Sequence, residues 1–166
     1  RFMTASGETL PDGWKETQGE GLAKIYKINS GNIDDQNSIM IDDKYDYKKS
    51  VVRREFPAQT KKMVGEVRFI ADPKATGFSF SLNSGTTFAI RVYARNRGFY
   101  TTNSQQIYNK YVDNVWYYLK FVADVETQTA DIYLNYKLVA EDVPFANRVK
   151  SIDNISVETG RKEKTT

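Results

Sequence analysis

Cysteine and histidine are both absent from this chain. Without them there is no Ser-His-Asp triad, no cysteine nucleophile and no thiolate- or histidine-ligated metal. Disulfides are excluded too, but a domain of 166 residues buries enough surface to fold without them. The missing cysteines therefore do not argue for a reducing compartment. No apolar run approaches the ~20 residues that a membrane-spanning helix needs. The first residues, Arg1-Phe2-Met3-Thr4, lack the apolar stretch of a signal peptide, as expected of a module cut from a larger secreted protein. Charge of one sign is scarce as well, with a net charge of +3. No basic run is interleaved with aromatics, so neither nucleic acid nor a membrane is expected as a partner. No window of about eleven residues carries a helical apolar period, so no helix is expected.

What the chain does have is aromatic residues and a strand rhythm. Aromatics make up 13% of it, with eleven Tyr and nine Phe. Tyr suits a strand surface, and it also offers a sugar an apolar face and a hydroxyl together. From Val115 to Phe145 the period is two: Tyr117, Leu119, Phe121 and Ala123 alternate with other residues, as do Ala130, Ile132 and Leu134. A polar break from Asp124 to Thr129 serves as a hairpin loop, and Asn135-Tyr136 fills a two-residue turn. Tyr resists positive φ, so a turn more forgiving than type I′ is expected there.

The same rhythm predicts strands at Leu22–Ile28, Ser38–Ile41, Ser50–Phe56, Met63–Ile70, Gly77–Asn83, Thr87–Ala94, Phe99–Thr102, Gln105–Asn109, Val115–Asp124, Ala130–Leu134, Lys137–Val143 and Lys150–Val157. Turns are expected at Asn29–Asn32, Asp72-Pro73, Asn83–Gly85 and Asn96–Gly98. Short strands without helices describe an all-β fold, a two-sheet antiparallel β-sandwich of the jelly-roll type. Its core should include Phe69, Phe80, Ile90, Leu119, Phe121 and Ile132.

Alternation also predicts what faces outward. Arg91, Tyr93 and Arg95 lie opposite Phe88, Ile90 and Val92; Ser79, Ser81 and Asn83 lie opposite Phe78, Phe80 and Leu82. Glu66 and Arg68 lie opposite Val67 and Phe69, and Tyr118 and Lys120 opposite Leu119 and Phe121. If these strands are neighbours in one sheet, Arg68, Arg91, Arg95, Lys120, Tyr93 and Tyr118 form one polar surface. An arginine fork binds a carboxylate bidentately, and Tyr stacks beneath a sugar ring. Arg-x-Tyr-x-Arg sets alternate side chains ~7 Å apart along one face, a useful spacing for an extended anionic glycan. An ordinary solvated sheet face laced with Glu66–arginine pairs has the same pattern.

The segments W-Y-Y-L-K-F-V-A-D (Trp116–Asp124) and T-x-x-x-D-I-Y-L-N-Y-K-L-V (Thr127–Val139) resemble the laminin-G-like or concanavalin-like β-sandwich attached to bacterial polysaccharide-degrading enzymes. Leu10-Pro11-Asp12-Gly13-Trp14 and Ser151-Ile152-Asp153-Asn154-Ile155 resemble the opening and closing segments of such modules. The likeness is strongest to the family 66 carbohydrate-binding modules of pectate lyases and fructan hydrolases. It implies one sandwich over residues 1–160, with 161–166 as a tail or a truncated last strand. Trp14 and Trp116 stand where these modules carry Trp, which implies packing in the core or at a sheet edge. Related modules often hold a structural calcium, so the resemblance implies Ca²⁺ as the cofactor candidate, but no contiguous ligand motif marks its position. Ca²⁺ takes carboxylate and carbonyl oxygens from loops; Asp34-Asp35, Asp42-Asp43 and Asp124 with Glu126 are the acidic pairs there, and turn caps or solvated residues are their ordinary roles.

Catalysis finds little support. A glycosidase needs two carboxylates about 5 to 10 Å apart, and the E-x-D-x-x-E strand that jelly-roll glucanases use is missing. Asn154-Ile155-Ser156 matches a glycosylation sequon but falls in a predicted strand. The expectation is a monomeric, non-catalytic, secreted and extracellular carbohydrate-binding module. It would hold an appended catalytic domain near a plant polysaccharide, pectin-like or fructan. A sheet face would take an acidic chain; a loop pocket would take a neutral chain end. The alternatives are a laminin-G-type adhesion or spacer domain and, with Tyr or Lys as base, a small polysaccharide lyase. Fold alone does not choose among them.

Overall fold

The computed structural model describes residues 10, 13–18, 23–28, 36–41, 49–71 and 77–159, and no helix occurs among them. The strands in chain order are β1 (Trp14–Gln18), β2 (Ala23–Ile28), β3 (Gln36–Ile41), β4 (Val51–Gln59), β5 (Lys62–Ile70), β6 (Phe78–Ser84), β7 (Thr87–Arg95), β8 (Gly98–Thr101), β9 (Gln106–Tyr108), β10 (Trp116–Asp124), β11 (Thr129–Leu134), β12 (Lys137–Pro144) and β13 (Ile152–Thr159). A seven-stranded sheet runs β1-β4-β13-β6-β7-β8-β9 and a four-stranded sheet runs β12-β11-β10-β5. β2 and β3 pair with each other as an antiparallel hairpin. This is the all-β antiparallel sandwich that the alternation predicts.

Apolar alternation drives the two sheets together. Along β10 and β11 every second residue is buried, and these side chains meet Phe80, Leu82, Ile90, Val92 and Phe99 of the larger sheet in one core. Of the six predicted core residues, Phe80, Ile90, Leu119, Phe121 and Ile132 are buried. Phe69 is partly buried, its ring 4.6 Å from Phe80 and 5.7 Å from Phe99. At Gly65 on β5 the sheets approach so closely that a Cβ would lie 2.8 Å from Leu82 Cδ2, so a larger side chain must displace the core.

At four places the structure differs locally from the sequence reading. β1 escapes it because WKETQ lacks apolar alternation; it adds to the edge of β4 through its backbone. The last strand begins and ends two residues later than expected, at Ile152 and Thr159. The register between β6 and β7 shifts between Leu82 and Asn83, so that Ile90 faces Leu82 while Phe88 faces Asn83. This bulge buries Ala89 and leaves Phe88 on the outer face rather than in the core. Finally, Asn135 and Tyr136 both have positive φ, 49° and 68°, as a type I′ turn requires. Asn135 brackets Tyr118: its N–H donates to the Tyr118 carbonyl at 2.8 Å and its Oδ1 accepts from the Tyr118 N–H at 2.9 Å. The Tyr136 ring stacks on Tyr118 with centroids 4.6 Å apart. The expected turns at Asn29–Asn32 and Asp72-Pro73, residue Leu22 and the tail 161–166 lie outside the described residues.

Candidate functional site

The outer face of the seven-stranded sheet is built around short polar side chains. Ser79, Ser81 and Asn83 of β6 stand in register with Glu158, Ser156 and Asn154 of β13. The serines and asparagines of this set are at most 7% exposed. Buried polar groups need partners, and four of these bond to one another. Ser81 and Ser156 hydroxyls lie 2.8 Å apart, and Asn83 Nδ2 donates to Asn154 Oδ1 at 2.8 Å and to Ser156 Oγ at 2.9 Å. Asn154 Nδ2 donates to the Gly85 carbonyl at 2.9 Å and to the Asp153 carboxylate at 2.6 Å. The ladder ties β6 to β13 and fixes the turn at Gly85.

Long cations flank the ladder. Register extends the Ser81–Ser156 row to Arg53 of β4 on one side and Arg91 of β7 on the other. The Arg91 guanidinium carbon lies 5.4 Å from the Phe88 ring centroid and 5.5 Å from that of Tyr93. Tyr93 in turn stacks on Tyr100 of β8, centroids 5.7 Å apart and planes at 23°. Arg95 is exposed at the end of the same strand, opposite Gly98. Nε of both Arg53 and Arg91 is buried with no hydrogen-bond acceptor. Leaving such a donor unmade costs about 1–3 kcal/mol or more. Nearby lysines have carboxylates, Lys15 with Glu55 at 3.0 Å and Lys49 with Glu158 at 3.2 Å. Among the described residues no carboxylate forms such a pair with Arg53, Arg91 or Arg95. Planar cations beside aromatic rings, with N–H groups to spare, suit a carboxylate carried on a ring.

The predicted six-residue surface divides in two. Arg91, Tyr93 and Arg95 share the outer face of β7, as the Arg-x-Tyr-x-Arg spacing requires. Arg68 and Tyr118 pair across β5 and β10, and Lys120 pairs with Glu66, all on the outer face of the four-stranded sheet. The condition that placed them together fails, because β7 belongs to one sheet and β5 and β10 to the other. On this second face a hydrogen bond to the Glu66 carboxylate, reinforced by partial burial, pushes the Tyr118 phenol pKa up to about 12. Lys120 Nζ lies 5.3 Å from the Tyr133 ring centroid. Trp116 is 37% exposed there, and Tyr117, its neighbour, takes the inward position. Trp14 is partly buried on the edge strand β1.

Arg53, Phe88, Tyr100 and the Asn83–Asn154 ladder went unread in the sequence. Val51 and Val52 are both buried, so Val-Val-Arg-Arg-Glu shows no alternation that would tell Arg53 from Arg54. The bulge hides Phe88.

Other candidates resolve into structure. Asp124 caps its turn, its Oδ1 accepting from the N–H groups of Glu126 at 2.9 Å and Thr127 at 3.3 Å. Asp34-Asp35 and Asp42-Asp43 lie outside the described residues. Among the described residues no group of three or more carboxylate, His or Cys side chains is placed to hold a metal. The sequon residue Asn154 is 1% exposed and its amide is committed to the ladder. No described helix is long and apolar enough to cross a membrane.

No protein-family model matches the sequence, and no curated protein sequence matches it. Similarity appears among solved structures. A sialidase chain superposes with a TM-score of 0.65 at 13% identity over 93% of this chain, which spans 14% of the sialidase. The carbohydrate-binding module CBM66 from Bacillus subtilis gives 0.58 at 12% identity, covering 97% of this chain and 92% of that one. The carbohydrate recognition domain of Emp46p gives 0.50 at 9% identity, covering 90% and 82%. The fold is thus the concanavalin-like sandwich, and the resemblance to family 66 modules holds at the level of architecture over nearly the whole chain.

Proposed function

We propose that this chain is a non-catalytic carbohydrate-binding domain, and that its ligand is an acidic, pectin-like polysaccharide held on the outer face of the seven-stranded sheet. Arg91 and Arg95 bind uronate carboxylates, Tyr93 stacks on a sugar ring against Tyr100, and Arg53 offers a further cation across the Ser–Asn ladder. The observation that carries this reading is the pair of arginines whose buried Nε donors have no acceptor, one of them set between aromatic rings. A uronate carboxylate would pair with the outer Nη ends of these guanidinium groups, which no described carboxylate does. The fold shared with CBM66 and the Emp46p carbohydrate recognition domain supports the carbohydrate class. In this reading the domain is a secreted monomer that keeps an appended polysaccharide-degrading enzyme near its substrate by raising effective concentration. A structural Ca²⁺ belongs to the same proposal, with its ligands unassigned.

Calorimetric titration with homogalacturonan and levan, at low and high salt, tests it. Homogalacturonan should bind weakly, and more weakly as salt shortens the ~10 Å screening length of 0.1 M solution. Arg91→Ala should lose roughly tenfold in affinity, the equivalent of about one charge-assisted hydrogen bond. Salt-independent binding of levan that survives Arg91→Ala would place the site in the loops and refute the arginine face.

A further inference from the structure

The outer face of the four-stranded sheet carries aromatic surface that the arginine site does not use. We propose that Trp116, Tyr118 and Tyr136 form a second glycan platform, which takes an uncharged chain of pyranose rings. It rests on the carbohydrate reading for the class of ligand alone; its residues and electrostatics are separate.

Exposure is the first observation. Trp116 is 37% exposed and Ile70, directly opposite it on β5, is 39% exposed; Tyr136 is 75% exposed. Large apolar side chains gathered on one open face mark a binding surface more often than single ones do. The second observation is where Tyr136 stands. It occupies the second central position of a type I′ turn at φ 68°, where glycine is the default and a Cβ is penalised. The turn would close as well with Asn-Gly. What tyrosine adds is a ring stacked on Tyr118, 4.6 Å between centroids and 22° between planes, that widens the aromatic surface beyond β10. A strained residue that is also exposed points to a use outside the fold.

Geometry and charge choose the occupant. Trp116 and Tyr118 are alternate residues on one strand, so their side chains stand ~7 Å apart along one face, with Tyr136 beside them. An extended chain can lie along that strip with the apolar faces of its rings on the aromatic planes. Its hydroxyls then meet Arg68, Glu66 and Lys120, which border the strip in register. Charges of both signs are interspersed on this face: Glu66 stands in register with Lys120 and two residues from Arg68 on the same strand, and Lys62 lies 3.7 Å from Asp124. The arginine face, with cations that lack carboxylates, suits an anion; this one suits a neutral ligand.

The test titrates the whole chain with two neutral probes, cellohexaose and mannohexaose, following calorimetric heat and tryptophan fluorescence at low and high salt. At least one should bind with an affinity that salt leaves unchanged. Trp116→Ala and Tyr136→Gly should each weaken it about tenfold, while Arg91→Ala leaves it intact. Tyr136→Gly restores the favoured Asn-Gly turn, so its melting temperature should hold or rise, and lost binding there is not lost folding. The proposal is overturned if neither hexasaccharide binds, or if binding is unchanged in both variants. It is also overturned if the chain sediments as a dimer that Trp116→Ala dissociates, because the face is then an interface between copies. Homogalacturonan binding that Arg91→Ala abolishes leaves this outcome untouched, so the two surfaces fail or stand separately.

Discussion

On the seven-stranded sheet Ser81 and Asn83 of β6 and Asn154 and Ser156 of β13 are short, buried and bonded to one another, with arginines at their flanks. On the four-stranded sheet the outward residues of β10 are Trp116, Tyr118 and Lys120, standing partly in water. Both faces descend from the same period-two pattern, and both lie over the same core. Alternation therefore tells which side of a strand a residue takes, and neighbouring strands decide what that side is for. The Asn83–Asn154 bond and the Tyr118–Tyr136 stack each need a partner strand that sequence spacing does not supply.

Removing what the faces share should have the largest effect. Phe121 is 0% exposed between the sheets, and Phe121→Ala should destabilise the domain by about 3–5 kcal/mol in a denaturant melt. A loss below about 1 kcal/mol would mean that the ring is not packed as described. A smaller change should separate the faces. Asn154→Ala removes one of the acceptors of the Asn83 amide and the side-chain donor to the Gly85 carbonyl, at a cost of about 1–3 kcal/mol. Neutral-glycan binding at Trp116 should survive that variant under folding conditions, whereas homogalacturonan binding should weaken as the ladder between Arg53 and Arg91 loosens. Equal weakening of both would show that the two faces are not independent.

Much of the fold was legible before the structure. The six core positions and the outward set of β7 follow from alternation because a strand buried on one face imposes a period of two. The site was legible only in part. Arg91, Tyr93 and Arg95 share a face because they share a strand. Arg68, Tyr118 and Lys120 were assigned to that face on an adjacency that only sheet order decides, and sheet order rests on contacts distant in sequence. Phe88 shows the limit of the period itself, since one bulge reverses a side chain without leaving a mark in the residue pattern.

The faces also differ in how they use a strained turn. Asn96 and Arg97, between β7 and β8, have positive φ of 48° and 63°, as Asn135 and Tyr136 do between β11 and β12. Arg97 is anchored: its Nη1 and Nη2 donate to the Asp113 carboxylate at 2.7 and 2.5 Å, and its guanidinium lies 5.8 Å from the Tyr111 ring centroid. The bidentate hydrogen bond to Arg97 holds the Asp113 carboxyl below the usual carboxylate range. A depressed carboxyl pKa contributes stability above the unfolded value near ~4, and loses it as pH falls through the lower folded value. The melting-temperature difference between the parent and Asp113→Asn should therefore be present at neutral pH and vanish in acid. A difference that persists at pH ~2 would mean the pair does not titrate as a unit.

The smallest effect concerns the tyrosine at the centre of the second face. Tyr118 donates to Glu66, and that bond is the main cause of its raised pKa of about 12. Here the sign is reversed: a phenol with a raised pKa stabilises the fold below its unfolded value near ~10, and the contribution is lost as pH climbs from there toward the folded value. Alkaline difference spectra of the parent against Tyr118→Phe should isolate one phenol that ionises late. Glu66→Gln, which removes the charge that the phenolate would face, should bring that ionisation back toward the ordinary range. If Tyr118→Phe removes no late-ionising phenol, or if Glu66→Gln leaves that ionisation late, Glu66 does not hold Tyr118, and the charge pattern argued for that face loses its clearest sign.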